Sequence, residues 1–267
     1  MVKVIVTGAS GRMGSRIVQL IAKTEAMELV GAVECAGHAL IGKDIGECQG
    51  LGTMGIVIDD DLSQCIDKGD VVIDFTFHAV SVQHLKIAAE HGTAMVIGST
   101  GFDADEMNDI ETLSQRTRCV VAPNMSVGVN VMLKVLESVA STLGDDYDVE
   151  LVEAHHNLKK DAPSGTAMKM AEVVAGALER NLDEVGVFCR KGITGERTKK
   201  EIGIQTVRAG DIIGEHTVIF GGTGERLEIT HRAHSRDNFA QGALRAALWI
   251  MEQDNGLYDM QDVLGLR

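Results

Sequence analysis

Along the first half of the chain, short β-branched runs alternate with longer stretches whose apolar positions recur every three or four residues. VKVIVT (2–7), MELVGAVE (27–34), DVVIDFT (70–76), AMVIGST (94–100) and RCVVAPN (118–124) read as strands. Residues 12–24, 78–91 and 104–116 carry the helical spacing between them. Strand and helix in alternation predict a parallel sheet with helices on both faces, a Rossmann-like doubly wound α/β fold.

The pattern changes after VGVNVMLKVLESVASTL (127–143), itself helical in spacing. YDVELVEAHH, GIQTVRAG, GEHTVIFGG and ERLEITHRA follow as strands, with a single helix predicted over 166–180. Gly-rich turns separate most of them, which predicts a second α+β domain built on a mixed, largely antiparallel open sheet. One helix covers one face of such a sheet. The bare face would then pack on a copy of the chain, and an oligomer is expected for that reason. Residues 237–252 return to helix and are expected to pack on the first domain.

Composition narrows the function classes. The 267 residues are 45% apolar and 24% charged, an ordinary globular balance with room for one large domain or two smaller ones. Twenty-five Lys and Arg against 39 Asp and Glu leave a formal charge of −14, which argues against nucleic acid or an anionic membrane as partner. Any anionic ligand must be held by a local cluster of cations. The five cysteines (Cys35, Cys48, Cys65, Cys119 and Cys189) show no C-x-x-C spacing and read as reduced packing residues. With no signal-peptide pattern and no window read as long enough for a membrane span, a cytoplasmic location is expected.

Two stretches carry chemistry. VKVIVTGASGRMGSRIVQLI places Gly8-x-x-Gly11-x-x-Gly14 between a strand and a helix, a variant of the dinucleotide fingerprint. Gly8 makes the turn, Gly11 admits a pyrophosphate to the helix N-terminus, and Gly14 brings the helix close to the strand. Glu34 stands 20 residues beyond Gly14, where a carboxylate accepts from a ribose 2′-OH. Arg12 is either a phosphate contact or a solvated first-turn side chain. Gly98, Ser99 and Thr100, with Ala122, Pro123, Asn124 and Met125, end predicted strands and so are candidates to line a nicotinamide.

HHNLKKDAPSGTA (155–167) gathers cations in an acidic chain. YDVELVEAHH reads as a strand ending at His155 and His156, and Pro163 keeps NLKKDAP from continuing it, so the lysines Lys159 and Lys160 sit on the loop that follows. Ser164-Gly165-Thr166 opens a helix whose free N–H groups and dipole face that loop. The arrangement suits a carboxylate-sized anion. Histidines there titrate near neutral pH, and a lysine crowded by cations is expected to lose its proton more readily. No ligand spacing for a metal is present.

These stretches resemble the dihydrodipicolinate reductase family of diaminopimelate and lysine synthesis. The likeness covers nearly the whole chain: VTGASGRMG, IDFT, GSTG, APNMSVGVN, EAHHNLKKDAPSGTA, GDIIGEHTVIF and HRAHSRDNFAQGA. It implies reduction of a cyclic imine dicarboxylate by hydride from NADH or NADPH. It further implies His155 as proton donor or acceptor and Lys159 as second proton donor, with His156, Gly165 and Thr166 on the substrate. By the same likeness Gly8, Ala9, Ser10, Gly11, Arg12, Met13, Glu34, Gly98–Thr100 and Ala122–Met125 bind the cofactor, and the chain is a homotetramer built on the second domain's sheet. The domains so read are 1–126 with 236–267 for the dinucleotide and 127–235 for substrate and assembly. One departure bears on the cofactor: Cys35 follows Glu34 where members that use NADPH well tend to have Arg, so NADH is expected to be preferred or at least equal, unless Arg12, Arg16 or Lys43 substitutes. A non-catalytic dinucleotide-binding sensor of a metabolite is the competing class, and a reductase of another carboxylated substrate the competing enzyme.

Overall fold

The computed structural model describes residues 1–267. In chain order the elements are β1 (Val2–Thr7), α1 (Gly14–Ile21), β2 (Met27–Val33), α2 (Ile45–Cys48), β3 (Ile58–Asp59), β4 (Val71–Asp74), α3 (His78–His91), β5 (Ala94–Ile97), α4 (Ala104–Ser114) and β6 (Arg118–Val121). They continue as α5 (Val127–Leu143), β7 (Asp148–His155), α6 (Gly165–Ala177), α7 (Leu182–Val185), β8 (Gly186–Val187), β9 (Ile202–Arg208), β10 (Gly214–Gly221), β11 (Arg226–Ala233), α8 (Asp237–Trp249), β12 (Gly256–Tyr258) and α9 (Met260–Val263). The chain divides into two compact units, Met1–Val127 with Arg236–Arg267, and Gly128–Ser235.

The first unit carries a seven-stranded sheet in the order β12-β6-β5-β4-β1-β2-β3, parallel throughout. Alternate residues of a strand face opposite sides. Val4 and Val6 therefore pack with Ile17, Val18 and Ile21 of α1 and Ala243 and Ala247 of α8. Ile5 points the other way, with Val72, Met95 and Ile97, onto Leu85 and Ala88 of α3 and Ile110 of α4. Both faces are covered, which is why these strands read as unbroken apolar runs. Each such Val or Ile contributes about 1.5–3 kcal/mol on burial, far more than local propensity supplies, so packing rather than intrinsic preference holds the sheet. Helix α8 lies in this unit as expected, tied to α1 by the Arg16–Asp237 ion pair at 2.6 Å.

The second unit holds a five-stranded sheet, β11-β10-β7-β9-β8. It is mixed: β11, β10 and β7 are antiparallel, whereas β7, β9 and β8 run parallel. Helix α6 lies between β7 and β9 in the chain and returns it to the same end of the sheet, which a tight turn cannot do. Two helices rather than one cover the inner face. Val129, Met132 and Leu136 of α5 and Met170 and Val174 of α6 pack on Leu151, Ile204, Val218 and Phe220. The opposite face presents Val152, Val207, Thr217 and Ile219 by strand alternation.

Two expectations are corrected. Val127–Asp146 is 20 residues and apolar enough to span a bilayer by length and composition, although Met132, Leu136 and Ala140 along it are buried in the second unit's core. Among the cysteines only Cys65 and Cys119 are buried; Cys48 is half-buried, and Cys35 and Cys189 are exposed and do no packing.

Candidate active site

The glycine turn owes its shape to two close approaches. Gly8 has φ +59°, in the left-handed region. A Cβ on Gly14 would lie 2.0 Å from the Gly8 carbonyl oxygen, so only glycine lets α1 start this close to the end of β1. The turn and first helical residue line a cavity of about 630 Å³ with Arg12, Glu34, Cys35, Asp60, Asp61, Thr76, Phe77 and His84. In the first turn of α1 the Ser15 N–H donates to the Gly11 carbonyl at 3.0 Å and the Ile17 N–H to the Met13 carbonyl at 2.9 Å, so anion binding at this mouth rests on the remaining N–H groups and the helix dipole. Gly11 departs from its expected task in one respect, since its own N–H donates to the Gly8 carbonyl at 2.9 Å and closes the turn. Glu34 accepts from the Ser10 N–H at 2.8 Å and the Ser10 hydroxyl at 2.6 Å, with Cys35 N–H at 3.3 Å from its other oxygen.

At the ends of β4 and β5 the expected nicotinamide segments meet a polar hub absent from the sequence reading. Asp74 is fully buried and accepts from the Thr7, Thr76 and Ser81 hydroxyls, the Thr76 N–H and Nδ1 of His84 at 2.6 Å. Burial opposes its charge, but His84 and the other donors outweigh that and hold the carboxyl below the usual range. Ser99 turns inward to this hub, with its hydroxyl 2.8 Å from that of Ser81, while Ala9, Ala122 and Met125 are buried. A Cβ on Gly98 would lie 2.2 Å from the Phe75 ring, so glycine there lets the two loops touch. Ser99, Thr100 and Pro123 line a second cavity of about 480 Å³ with Phe102, Tyr258 and Arg267.

In the second unit the cation loop is organised around a carboxylate. Glu153, fully buried on β7, accepts two N–H bonds from Arg208 at 2.8 Å each, one from Nδ1 of His155 at 2.6 Å, the Ser164 N–H at 3.1 Å and the Thr206 hydroxyl at 3.2 Å. Burial would raise it, yet Arg208 and His155 hold the carboxyl at about 2. His155 is itself lowered, by burial first, with Glu153 opposing. His216 on β10 stands edge-on to His155, ring centroids 5.2 Å apart, and burial and the charge on His155 push it down to about 4. Ser164 caps α6 by accepting the Ala167 N–H at 3.1 Å, and its hydroxyl lies 3.0 Å from Nε2 of His216. Gly165, exposed, opens the helix with nothing within 4 Å of a built Cβ, and Thr166 follows it.

The structure thus gathers His155, His156, Lys159, Gly165 and Thr166 in one unit, and adds Glu153, Arg208 and His216. Lys159 is not crowded by cations alone: its Nζ lies 2.9 Å from a carboxylate oxygen of Asp161, a partner the sequence reading passed over. Arg208 was invisible because it sits on β9, 55 residues from the carboxylate it grips; only the parallel register His155 to Arg208 brings it there. Two buried ring nitrogens, Nδ1 of His156 and of His216, have no partner, an uncommon state for buried polar atoms and one that a polar ligand would relieve.

A family model described as dihydrodipicolinate reductase, N-terminus, matches residues 2–125, and its C-terminus counterpart matches 128–264. The chain belongs to the dihydrodipicolinate reductase family. It is 65% identical over 267 residues to a 4-hydroxy-tetrahydrodipicolinate reductase from Syntrophus aciditrophicus and 56% identical to one from Syntrophobacter fumaroxidans, both chains covered in full. A dipicolinate-bound dihydrodipicolinate reductase from Paenisporosarcina sp. TG-14 superposes with a TM-score of 0.79 at 25% identity, over 98% of each chain. An amine dehydrogenase from Mycobacterium smegmatis, at 12% identity and a TM-score of 0.60 over 96% and 94% of the chains, shares the fold.

Proposed function

We propose that this chain reduces the cyclic imine dicarboxylate (4-hydroxy-)dihydrodipicolinate to tetrahydrodipicolinate with NAD(P)H, in diaminopimelate and lysine synthesis. Family membership and full-length identity to named reductases carry the reaction; the cluster around His155 supports its mechanism. The first unit fits a dinucleotide at the Gly8–Gly14 turn, and when bound NAD(P)H supplies the hydride. Gly165 and Thr166 at the mouth of α6 hold a substrate carboxylate, with His156 as a further contact. In its imidazolium form His155 gives its Nε2 proton to the position where negative charge develops, and Lys159 supplies the second. With Arg208 paired to Glu153 and Lys159 to Asp161, Lys160 and the positive end of the α6 dipole supply the local attraction in a chain of net charge −14.

NADH is preferred or equal. Asp60 and Asp61 line the same cavity as Glu34 and Cys35, with Arg12 as the cation there, and Arg16 is already bound to Asp237. Further proposals are a homotetramer, through the sheet face that α5 and α6 leave uncovered, and a cytoplasmic location. NAD(P)H oxidation by the intact chain with freshly generated cyclic imine tests the reaction. His155→Gln and Lys159→Met should each lower kcat at least a hundredfold with cofactor affinity unchanged. Wild-type turnover in both would remove the assigned acid chemistry and favour a sensor.

A further inference from the structure

Glu153 makes more bonds than a structural carboxylate needs. Two N–H groups of Arg208, the Ser164 N–H and the Thr206 hydroxyl already saturate it, and the ring of His155 adds a fifth donor. An ionised carboxylate only accepts, so Nδ1 of neutral His155 must carry the proton and Nε2 must be bare. Nε2 lies on the Gly214 side: a Cβ there would stand 3.1 Å from Nε2 and 3.4 Å from Cδ2, so glycine keeps that edge of the ring clear. The charged and titratable groups facing His155 are Glu153 on its own strand, Arg208 on β9, His216 on β10 and Lys159 from the loop, itself paired with Asp161. Glu153 is the one anion in contact with the ring, and Arg208 is the cation that balances it.

We propose that Glu153 is the positioning residue for proton transfer at His155: gripped by Arg208, it locks the ring in the Nδ1–H tautomer, keeps Nε2 free for the substrate and sets the pH at which Nε2 gives up its proton. This rests on the reading of His155 as proton donor. Glu153 touches no substrate in this role. Its charge favours the imidazolium, while Arg208 opposes it, so the two side chains must act on His155 in opposite directions.

The test uses the full chain. In Glu153→Gln an amide oxygen still accepts from Nδ1–H but brings no charge, so the basic limb of kcat/KM should move down by about one pH unit with kcat reduced. In Arg208→Gln the limb should move up by a similar amount, because the carboxylate remains and its cation is gone. Loss of activity with unmoved limbs, or limbs moving the same way, would make both residues merely structural and overturn the proposal. Nitrogen NMR of the wild-type rings, with His155 assigned by its absence in His155→Gln, needs neither variant to fold. Protonated Nδ1 and bare Nε2 at neutral His155 are expected, and the reverse tautomer overturns the proposal even where His155 proves essential. Wild-type turnover in His155→Gln would instead remove the acid assignment and leave the tautomer result standing.

Discussion

Asp74 and Glu153 are fully buried carboxylates, one in each unit, and both stay ionised because every lone pair is used. Isolated, either would cost several kcal/mol; removing one partner of such a pair typically costs about 3–5 kcal/mol. His216 shows the opposite solution, burial in the neutral form. Its proton is taken up at about 4 in the folded chain, below the ordinary value of 6.5. The unfolded chain therefore binds the proton first, and the stability at stake is fully present above pH 6.5 and lost as pH falls towards 4, about 3 kcal/mol in all. Thermal melts of His216→Gln should lose much of the wild type's slope across that window, with His155 and His231, also lowered, retaining the remainder. At Cys35 the question is charge at the ribose. Cys35→Arg should raise kcat/KM for NADPH relative to NADH about tenfold, since a guanidinium can pair with a 2′-phosphate. An unchanged ratio would shift attention to Asp60 and Asp61.

At the scale of elements, position depends on a few close approaches. Gly14→Ala must push α1 off the Gly8 carbonyl, which costs about 1–3 kcal/mol and should weaken NADH binding at least tenfold, read by fluorescence titration and thermal melt. Binding as tight as in the wild type would mean that the helix mouth does not hold the pyrophosphate. The glycine triplet and the Ser164 cap were legible in the sequence because turn and cap chemistry is local. The strands of the first unit were legible for a different reason, burial on both faces. Strands β3 and β12, of two and three residues, carry too little pattern to be read, and β3 leads into the Asp60 and Asp61 wall of the cavity at the glycine turn. The second unit's mixed sheet was legible from its Gly-rich turns and single crossover, but which strands pair in parallel was not, because β7 and β9 come side by side only through the way α6 returns the chain.

For the whole molecule, electrostatics and assembly are set against one another. A charge of −14 repels a diacid at long range, and Lys160 with the positive end of α6 attracts it within about 10 Å, the screening length at moderate salt, since Arg208 and Lys159 are already paired with carboxylates. The proposed tetramer uses the sheet face bearing Val152, Val207 and Thr217. Thr217→Arg, in the middle of β10 and opposite Thr230, should dissociate a tetramer to smaller species in sedimentation velocity while the first unit still binds NADH. A variant that stays tetrameric would place the interface elsewhere.

By itself the amino-acid order determined the doubly wound first unit, the glycine turn, the cap at Ser164 and the run from His155 to Thr166, because periodicity, turn chemistry and neighbouring functional groups are carried by adjacent residues. Tertiary structure alone decided that Arg208 and His216 join Glu153 around His155 and that His84 closes on Asp74. Those contacts depend on strand register and helix placement, and whether a buried group is charged or neutral depends on every donor that reaches it.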